Sequence, residues 1–486
     1  MISDEVISLG SRVRQLAAER PDAPAVTCDD DTLTWEALDR RTNRLARGLE
    51  ARGVGEGRFV TIGLPNSVAF VEACVACWKL GATPQPVSSR LPVAELDAIV
   101  SLADPPLVVR AEPGEVAGRT CVSTEALFDD VDDDDPLPDR VSPAWKAPTS
   151  GGSTGRPKLI VSGRPGLVNW LEIAFWRLTD ASTALMPGPL YHNGPFASAF
   201  MGLMAGAHLV VLPRFDALRT LEQVEVQRAT WLYLVPTMMS RIWRLPDEVR
   251  AAIDMSSLET VWHLAAPCPP WLKEAWIEWL GGECIWELYA GTEAQVTTVI
   301  TGTQWMQRRG SVGRPINGDV RILDDEGAEL PPRQVGEVFL RRLAGTDPTY
   351  RYIGAEPRAR SEWESLGDLG WIDEDGFLYL ADRRADMILV GGSNVYPAEV
   401  EAALDEHPRV ASSAVIGLPD DDLGQTVHAI IQAPPDLDVD DLRAHLESRL
   451  VRYKLPRSFE LVDEPVRDDA GKVRRSGLVD ERLSQP

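Results

Sequence analysis

Cysteine is scarce in this chain of 486 residues. The six cysteines are widely separated, which excludes a framework of disulfide bonds as the source of stability. Cys74 and Cys77 form a single CxxC pair within an apolar, helix-like run, and no second pair is available to complete a zinc site. We therefore predict that these two cysteines pack in the core.

Long apolar runs and an excess of positive charge are also missing. The longest apolar segment, residues 196–212, is too short to span a membrane as a helix and carries Ser198 and His208. The amino terminus has no basic segment followed by an apolar stretch of the signal-peptide type. The formal net charge of −25 argues against nucleic acid or an anionic membrane surface as a partner. We expect a cytoplasmic protein whose partners are small molecules, with a homodimer left open.

The chain is long enough for two or more domains, and its pattern changes along its length. Residues 33–130 and 164–300 alternate helical periodicity with short apolar runs, which is typical of parallel strands covered by helices. Residues 311–380 contain strands separated by Asp and Gly turn signals, which predicts a β subdomain. The last part, about 100 residues, has the pattern of a small α+β domain. The predicted fold class is α/β.

A glycine-rich stretch, APTSGGSTGRPKLIVSG (147–163), has the composition of a phosphate-binding loop. It is not a P-loop. In that motif a glycine is followed directly by a lysine that opens a helix, whereas here Pro157 stands between Gly155 and Lys158. Proline lacks an N–H group and disfavours helical angles at Arg156, so we predict that an extended segment follows. Taken alone, the stretch fits a flexible turn as well as a phosphate site.

Several polar motifs follow one another in a characteristic order. They are TSGGSTGRPK (149–158), ELYAGTE (287–293), GRP (313–315), GEV (336–338), GDLGWIDEDGFLYLADRRADMI (367–388), GGSNVYPAEVE (391–401) and DDAGKVRR (468–475). Over essentially the full chain, this order resembles the adenylate-forming superfamily of acyl-CoA synthetases, firefly-type luciferases and peptide-synthetase adenylation domains. The resemblance implies a large domain of helix-flanked sheets with a β subdomain, residues 1–383, and a small mobile α+β domain, residues 384–486.

The resemblance also implies a reaction in two steps. A carboxylate attacks ATP to give acyl-AMP and pyrophosphate, and the acyl group then passes to a thiol, usually that of coenzyme A. ATP, Mg²⁺ and coenzyme A are the cofactors expected for such an acid–thiol ligase. Because a carboxylate and a phosphate repel each other, the site must supply cations and oriented hydrogen-bond donors.

The nucleotide site implied by the resemblance draws on several motifs. Tyr289 is expected against the adenine ring, Thr292 at the α-phosphate, and Glu293 as an oxygen ligand of Mg²⁺. Asp368 and Arg383 are expected at the ribose. The β- and γ-phosphates are expected among the backbone N–H groups and side chains of Thr149, Ser150, Gly151, Gly152, Ser153, Thr154, Gly155 and Lys158.

Lys472 matches the lysine that the small domain of this family carries into the active site, where it bridges the attacking carboxylate and the α-phosphate. Ala385 occupies the hinge position, where many relatives have Asp or Lys. A small residue can absorb backbone rotation, and Asp386 is an alternative one position away. The predicted catalytic residues are Lys472, Thr292, Glu293 and His192.

The predicted acyl pocket is lined mainly by apolar side chains. No Asp in residues 230–236 is placed to pair with an α-ammonium group, so a hydrophobic acid is expected rather than an amino acid. Leu264 and Ala265 replace glycines that are common in relatives, which reshapes the pocket. A bulky steroid or terpenoid acid is the leading substrate, and a medium- or long-chain fatty acid is the next. The predicted pocket residues are His192, Val235, Pro236, Met239, Ala265 and Ala266.

Three questions remain open at the level of the sequence. The altered hinge permits an adenylating enzyme that hands its acyl-AMP to a carrier-protein thiol or a partner enzyme. A nucleotide-binding module without catalysis is another reading, although the residues expected at the metal, the ribose and the carboxylate are all present. His192 fits either a gate of the site or an ordinary hydrogen-bonded histidine at a strand end.

Overall fold

The computed structural model describes residues 5–129, 131–151, 157–420, 422–468 and 471–484, with the backbone alone described at residues 150 and 151. The helices are α1 Leu9–Glu19, α2 Trp35–Glu50, α3 Val68–Lys79, α4 Val93–Ala103, α5 Thr124–Phe128, α6 Trp170–Phe175, α7 Asn193–Ala205, α8 Ala217–Val226, α9 Pro236–Trp243, α10 Asp247–Ala252, α11 Pro270–Leu280, α12 Gly302–Trp305, α13 Pro397–Asp405, α14 Val439–Glu447 and α15 Arg475–Leu483. The strands are β1 Pro24–Cys28, β2 Asp31–Thr34, β3 Phe59–Gly63, β4 Thr83–Pro86, β5 Val108–Arg110, β6 Gly114–Val116, β7 Arg119–Val122, β8 Thr149–Gly151, β9 Pro157–Ser162, β10 Thr183–Met186, β11 His208–Val211, β12 Trp231–Leu234, β13 Thr260–His263, β14 Ile285–Tyr289, β15 Thr298–Thr301, β16 Ser311–Pro315, β17 Gly318–Leu323, β18 Gly336–Arg342, β19 Tyr350–Ile353, β20 Arg358–Arg360, β21 Trp363–Ile372, β22 Leu378–Arg383, β23 Ile388–Val390, β24 Ser393–Val395, β25 Ser412–Asp420, β26 Gly424–Gln432 and β27 Ser458–Val462.

Local sequence explains two helices that shape the large domain. Thr34 caps α2 by accepting a hydrogen bond from a backbone N–H of the first turn, and the apolar residues of α2 recur on one buried face. Ser67 caps α3 in the same way, and nearly all side chains of α3 are buried. The prediction that Cys74 and Cys77 pack in the core is confirmed, since both are fully buried.

The main sheet joins parallel and antiparallel strands in one layer. Its order is β17–β18–β21–β22–β16–β15–β14–β13–β12–β10–β11–β1–β2. Strands β10 to β14 form the predicted parallel part, and β16 links it to the antiparallel part by pairing with β15 and β22. Gly313 of β16 has a φ of 98°, and a Cβ there would lie 2.1 Å from the carbonyl oxygen of Val299. Glycine is therefore required at this junction.

Two smaller sheets complete the large domain, with the orders β4–β3–β5–β7–β6 and β19–β9–β8. The second sheet is antiparallel and flanks the glycine-rich loop. Thr149 of β8 pairs with Leu159 of β9, and β9 begins at Pro157. The predicted extended segment after the loop is thus confirmed. Because β19 pairs with the other edge of β9, it lies beside the lysine of the loop.

Residues from 388 onward build a separate sheet with the order β24–β23–β26–β25, in which β27 also pairs with β26. Helices α13 and α14 cover this sheet and bury Val400, Leu404 and Leu442 in a core of its own. The predicted fold class, a large α/β domain and a small α+β domain, agrees with this architecture. The exact boundary between residues 383 and 384 stays a prediction.

Ala385 lies in the turn between β22 and β23, where the N–H of Asp386 bonds to the carbonyl of Arg383 at 3.0 Å. Asp386 also forms an ion pair of 2.8 Å with Arg475, so it is tied to the first residue of α15. The role of Ala385 as a pivot stays a prediction. Of the helices in the described ranges, none is long and apolar enough to cross a membrane.

Candidate active site

Tyr289 and Asp368 come from two different strands and meet in one hydrogen bond. Tyr289 is the last residue of β14, and its hydroxyl donates to Oδ2 of Asp368 in β21 at 2.7 Å. The pairing of β21 with β22 places Arg383 opposite Asp368, with 3.4 Å between Nε of Arg383 and Oδ1 of Asp368. The structure therefore brings together the three residues predicted to contact adenine and ribose.

The protonation of Tyr289 suits this arrangement. Burial, and then the neighbouring Asp368, raise the pKa of Tyr289 well above its usual value. The phenol therefore stays protonated and acts as a donor to Asp368. The Asp368 side chain is mostly buried, whereas 67% of the Arg383 side chain is exposed. An aromatic ring, a carboxylate and a solvent-facing guanidinium thus lie next to one another, and together with Glu293 and Lys158 they outline the candidate cleft.

Thr292 and Glu293 lie in a tight turn directly after β14. The turn is closed by a hydrogen bond of 3.0 Å from the N–H of Ala294 to the carbonyl of Gly291. A Cβ at Gly291 would lie 2.5 Å from a neighbouring leucine side chain, so the turn packs closely against β21. Glu293 is buried and Thr292 is half-buried. Both side chains therefore lie at the carboxyl end of a strand of the main sheet.

Glu293 has two polar neighbours outside its own motif. Nζ of Lys158 lies 3.7 Å from Oε1 of Glu293, and the hydroxyl of Tyr352 donates to the same oxygen at 2.5 Å. The amine of Lys158 also lies 3.8 Å from the centre of the Tyr352 ring. The lysine expected at the phosphates and the carboxylate expected at Mg²⁺ are therefore adjacent.

Tyr352 was not among the residues that the sequence predicted for the site. It belongs to β19, and no motif marks it. Only the pairing of β19 with β9 brings it beside Lys158. The local signal that could have pointed to it is modest: tyrosines at 350 and 352 share one face of a strand.

Lys158, Lys472 and Arg383 form a positive cluster around Glu293. Burial lowers the pKa of Lys158 and of Lys472, the charge of Arg383 lowers both further, and the charge of Glu293 opposes these effects. Arg383 and Glu293 thus act on both lysines, and Asp468 also raises the pKa of Lys472. In a protein with a net charge of −25, such a cluster provides the local positive potential that an anionic ligand needs.

Lys472 reaches this cluster from the small domain on a tight turn. The N–H of Lys472 donates to Oδ1 of Asp468 at 2.8 Å, and the N–H of Asp468 donates to the carbonyl of Lys472 at 3.0 Å. Gly471 has a φ of 75°, and a Cβ there would lie 2.9 Å from Oγ1 of Thr237 in α9. Glycine therefore allows the turn to approach the large domain closely. The bridging role of Lys472 stays a prediction.

Part of the predicted phosphate loop lies outside the described residues. Thr149 is half-buried at the start of β8, while the backbones of Ser150 and Gly151 pair with Lys158 and Pro157. The remaining members, which lie outside the described residues, are Gly152, Ser153, Thr154 and Gly155.

His192 lies directly before α7, at the predicted acyl pocket. Burial, and then the charges of Lys472 and Arg474, lower the pKa of His192 to about 3. Its ring is therefore neutral and lies within electrostatic reach of the lysine turn. The buried Nε2 has no hydrogen-bond partner among the described residues. The alternative reading of His192, an ordinary hydrogen-bonded histidine, is therefore not supported at Nε2.

The other predicted pocket residues occupy different environments. Val235 and Pro236, at the start of α9, are buried, and a Cβ at Gly471 would lie 3.7 Å from Cγ2 of Val235. Met239 is fully buried in the main core. Two further residues, Ala265 and Ala266, are more open to solvent. Their contact with an acyl group stays a prediction.

Close packing at Gly194 forms a constriction beside the predicted pocket residues. A Cβ at Gly194 would lie 2.8 Å from the hydroxyl of Tyr233 and 3.0 Å from Cδ1 of Leu264. Ala265 follows with a φ of 75°, a conformation that favours glycine. Leu264 therefore places a branched side chain against the first turn of α7.

A buried lysine also lies beside α7. Lys146 is 8% exposed, and its amine donates to Oδ1 of Asn193, the first residue of that helix. The amine lies 4.4 Å from the centre of the Trp145 ring. Burial lowers the pKa of Lys146 to about 7, while Glu172 and Arg164 act in opposite directions. No motif in the sequence pointed to this residue.

Comparison with known proteins agrees with this geometry. The family described as AMP-binding enzyme matches residues 13–346, and its C-terminal domain matches residues 399–472. A feruloyl-CoA synthase from an Amycolatopsis species is 34% identical, covering 96% of this chain and 97% of the relative. The fatty acid–[acyl-carrier-protein] ligase ScoC from Streptomyces coeruleorubidus is 31% identical, covering 96% and 94%.

A solved structure is similar over nearly the whole chain. It is the o-succinylbenzoate coenzyme A synthetase MenE from Bacillus subtilis in complex with ATP and magnesium ion, with a TM-score of 0.80 and 25% identity. The match covers 96% of this chain and 98% of that one. The order of motifs, the two-domain architecture and these similarities agree, and the chain belongs to the family of AMP-binding enzymes, the adenylate-forming, acyl-CoA synthetase-like enzymes that its sequence resembles.

Proposed function

We propose that this enzyme activates a hydrophobic carboxylic acid as acyl-AMP and transfers the acyl group to coenzyme A. The observation that carries the proposal is the position of Lys158, whose amine lies 3.7 Å from Glu293, together with the close approach of the Lys472 turn to Thr237 and Val235 of the large domain. The large domain thus has a cation beside the turn at which the phosphates are expected, and the small domain brings Lys472 toward the large domain. The predicted enzyme class, an AMP-forming acid–thiol ligase, is confirmed by relatives named as CoA synthases and ligases.

The predicted cofactors, ATP, Mg²⁺ and coenzyme A, are confirmed by the same similarities. Glu293 fits Mg²⁺ because this cation takes oxygen ligands and, beside bound phosphates, needs only one or two carboxylates. Among the described residues, no group of three or more His, Cys, Asp or Glu side chains is arranged to hold a metal ion alone. We assign Glu293 as the protein ligand, and bound Mg²⁺ would neutralise phosphate charge.

Each residue of the cleft has a part in the first half-reaction. A carboxylate oxygen of the acid attacks the α-phosphorus, the bond to pyrophosphate breaks, and acyl-AMP remains. Lys472 offsets the repulsion between the two anions, and Lys158 holds the leaving pyrophosphate with the glycine-rich loop. Tyr289 and Asp368 hold the adenosine. The remaining contacts with the α-phosphate and the ribose are assigned to Thr292 and Arg383.

In the second half-reaction the thiol of coenzyme A loses its proton and its sulfur attacks the acyl carbonyl, the bond between the acyl group and the phosphate breaks, and AMP leaves. This step does not need Lys472 between two anions, since the carboxylate is already joined to the α-phosphate in acyl-AMP. His192 borders the acyl pocket without adding charge, because its pKa is lowered to about 3. A neutral ring, together with the buried side chains of Val235 and Pro236, suits an apolar acyl group.

The constriction at Gly194 bears on the size of the acid. A Cβ at Gly194 would meet Leu264 and Tyr233 at 3.0 Å or less, so the first turn of α7 lies close to both side chains. This close packing supports a flat aryl acid as the substrate. The bulky polycyclic acid that the sequence favoured ranks second, and a fatty acid ranks third. A relative at 34% identity named feruloyl-CoA synthase supports the same order.

Pyrophosphate release across a panel of aryl, steroid and fatty acids, with ATP and Mg²⁺, tests the proposal. We expect release with at least one class, followed by AMP release when coenzyme A is added. If no acid of the three classes elicits pyrophosphate from correctly folded enzyme, the proposed reaction is wrong. If only steroid acids do so, the argument from the constriction is wrong.

A carrier-protein thiol is the second candidate for the acyl acceptor, and the relative ScoC, named as an acyl-carrier-protein ligase, favours its inclusion. Mass spectrometry separates the two acceptors, since acyl-AMP that persists in the presence of coenzyme A would favour a carrier protein. We propose a cytoplasmic location, with which six unpaired cysteines are compatible. A homodimer stays a prediction.

A further inference from the structure

Tyr352 contacts two oppositely charged side chains, Glu293 and Lys158, which have separate roles in the proposed reaction. Its hydroxyl donates to Oε1 of Glu293 at 2.5 Å, and the face of its ring lies 3.8 Å from the amine of Lys158. The direct distance from that amine to Oε1 is 3.7 Å, longer than a hydrogen bond. One side chain therefore contacts both members of an ion pair that is not closed by a direct hydrogen bond.

The chemistry of the two partners explains why their separation matters. A lysine and a carboxylate in a half-buried cleft attract each other strongly, because the local dielectric is lower than that of water. A closed ion pair would neutralise Lys158, which the phosphates need, and would occupy the oxygen of Glu293 that faces it. The phenol fills one of the two acceptor positions of that oxygen, while the ring offers the ammonium a second electrostatic partner.

We propose that Tyr352 is a positioning residue that keeps Lys158 and Glu293 from forming a closed ion pair, so that both remain available to the polyphosphate and its metal ion. This inference rests on the proposed function, since it takes Lys158 as a phosphate ligand and Glu293 as the metal ligand. Tyr352 acts through these two residues.

The adjacent Tyr350 provides a matched control. The two rings belong to the same strand and lie 4.8 Å apart. The hydroxyl of Tyr350, however, donates to Oε2 of Glu364 at 2.6 Å. Replacing either tyrosine by phenylalanine removes one hydroxyl from the same face of β19, but only Tyr352→Phe frees an oxygen of Glu293.

The test measures ATP binding by calorimetry in the presence of EDTA, so that no metal ion contributes. We expect Tyr352→Phe to weaken binding about fivefold, the factor that corresponds to the typical net contribution of one hydrogen bond. The reason is that the freed carboxylate oxygen closes on Lys158. Tyr350→Phe should bind ATP like the wild type. Thermal unfolding of both variants shows whether each is folded.

A second background makes the inference specific. In Glu293→Gln the side chain carries no charge, so Tyr352→Phe should cause no further loss of ATP affinity. An equal loss in both backgrounds, or wild-type affinity in Tyr352→Phe, would overturn the positioning role. If the wild type binds no ATP with or without Mg²⁺, it is the proposed function that fails.

Discussion

Arg474 of the small domain forms an ion pair with Glu95 of α4, with 3.3 Å between Nη1 and Oε2. Arg474 follows Lys472 by two residues, so the pair ties the lysine turn to the large domain. A second contact joins the domains where the guanidinium of Arg244 donates to the backbone carbonyl of Asp405 at 3.2 Å. These contacts favour the orientation in which the lysine turn faces the nucleotide site.

We expect Glu95→Gln to slow the first half-reaction more than the second. The Arg474 side chain is largely exposed, so the loss is at most about 1 kcal/mol, or up to about fivefold in pyrophosphate release. The difference from the wild type should shrink as added salt screens the pair. Glu50→Gln, which removes an ion pair with Arg140 inside the large domain, is the control. An equal loss in both variants would contradict the interdomain role.

Lys472→Ala should abolish most of the first half-reaction and spare the second. Removing the cation between carboxylate and α-phosphate is expected to reduce pyrophosphate release by about a hundredfold or more. Thioester formation from preformed acyl-AMP should be close to that of the wild type. The control is Lys454→Ala, whose ammonium pairs with Glu399 within the small domain. Equal losses in both half-reactions would show that Lys472 has no selective role.

Ala265→Gly should stabilise the protein. Ala265 has a φ of 75°, which strains a residue with a Cβ, and relief of that strain is expected to raise the free energy of unfolding by about 0.5–1 kcal/mol. Ala266 is outside the set of positive-φ residues, so Ala266→Gly should lower the same quantity by a similar amount. Urea unfolding measures both. The two variants should change the free energy of unfolding in opposite directions. A lower free energy of unfolding in Ala265→Gly would contradict the strain inferred at Ala265.

Lys146→Met should flatten the pH dependence of stability. Burial lowers the pKa of Lys146 to about 7 from the ordinary 10.5. Between these values the unfolded chain holds a proton that the folded chain lacks, so the free energy of unfolding rises with pH, by up to about 1.4 kcal/mol per unit.

Urea unfolding from pH 7 to pH 10 measures that slope. The slope should be smaller in Lys146→Met, though not zero, because burial also lowers the pKa of Lys79 to about 8. An unchanged slope would mean that Lys146 is charged in the folded protein throughout this range.

Much of the fold and of the nucleotide site was readable from local patterns. The alternation of helical and apolar segments predicted the parallel strands, and Pro157 predicted the strand that follows the loop. Tyr289 and Glu293 lie within five residues of one another, at the end of one strand. Side-chain period, turn signals and short motifs are properties of neighbouring residues, so the chain specifies them locally.

Contacts between distant segments were decided only by the tertiary structure. The hydrogen bond from Tyr352 to Glu293 spans 59 residues, and the contact of Arg474 with Glu95 spans 379. Each depends on strand pairing or domain orientation, and many remote side chains are chemically able to make the same bond. The positive φ of Ala265, two residues after β13, is likewise a property of the folded backbone. Periodicity determines which face a residue occupies, whereas the register of remote elements determines which partner it meets there.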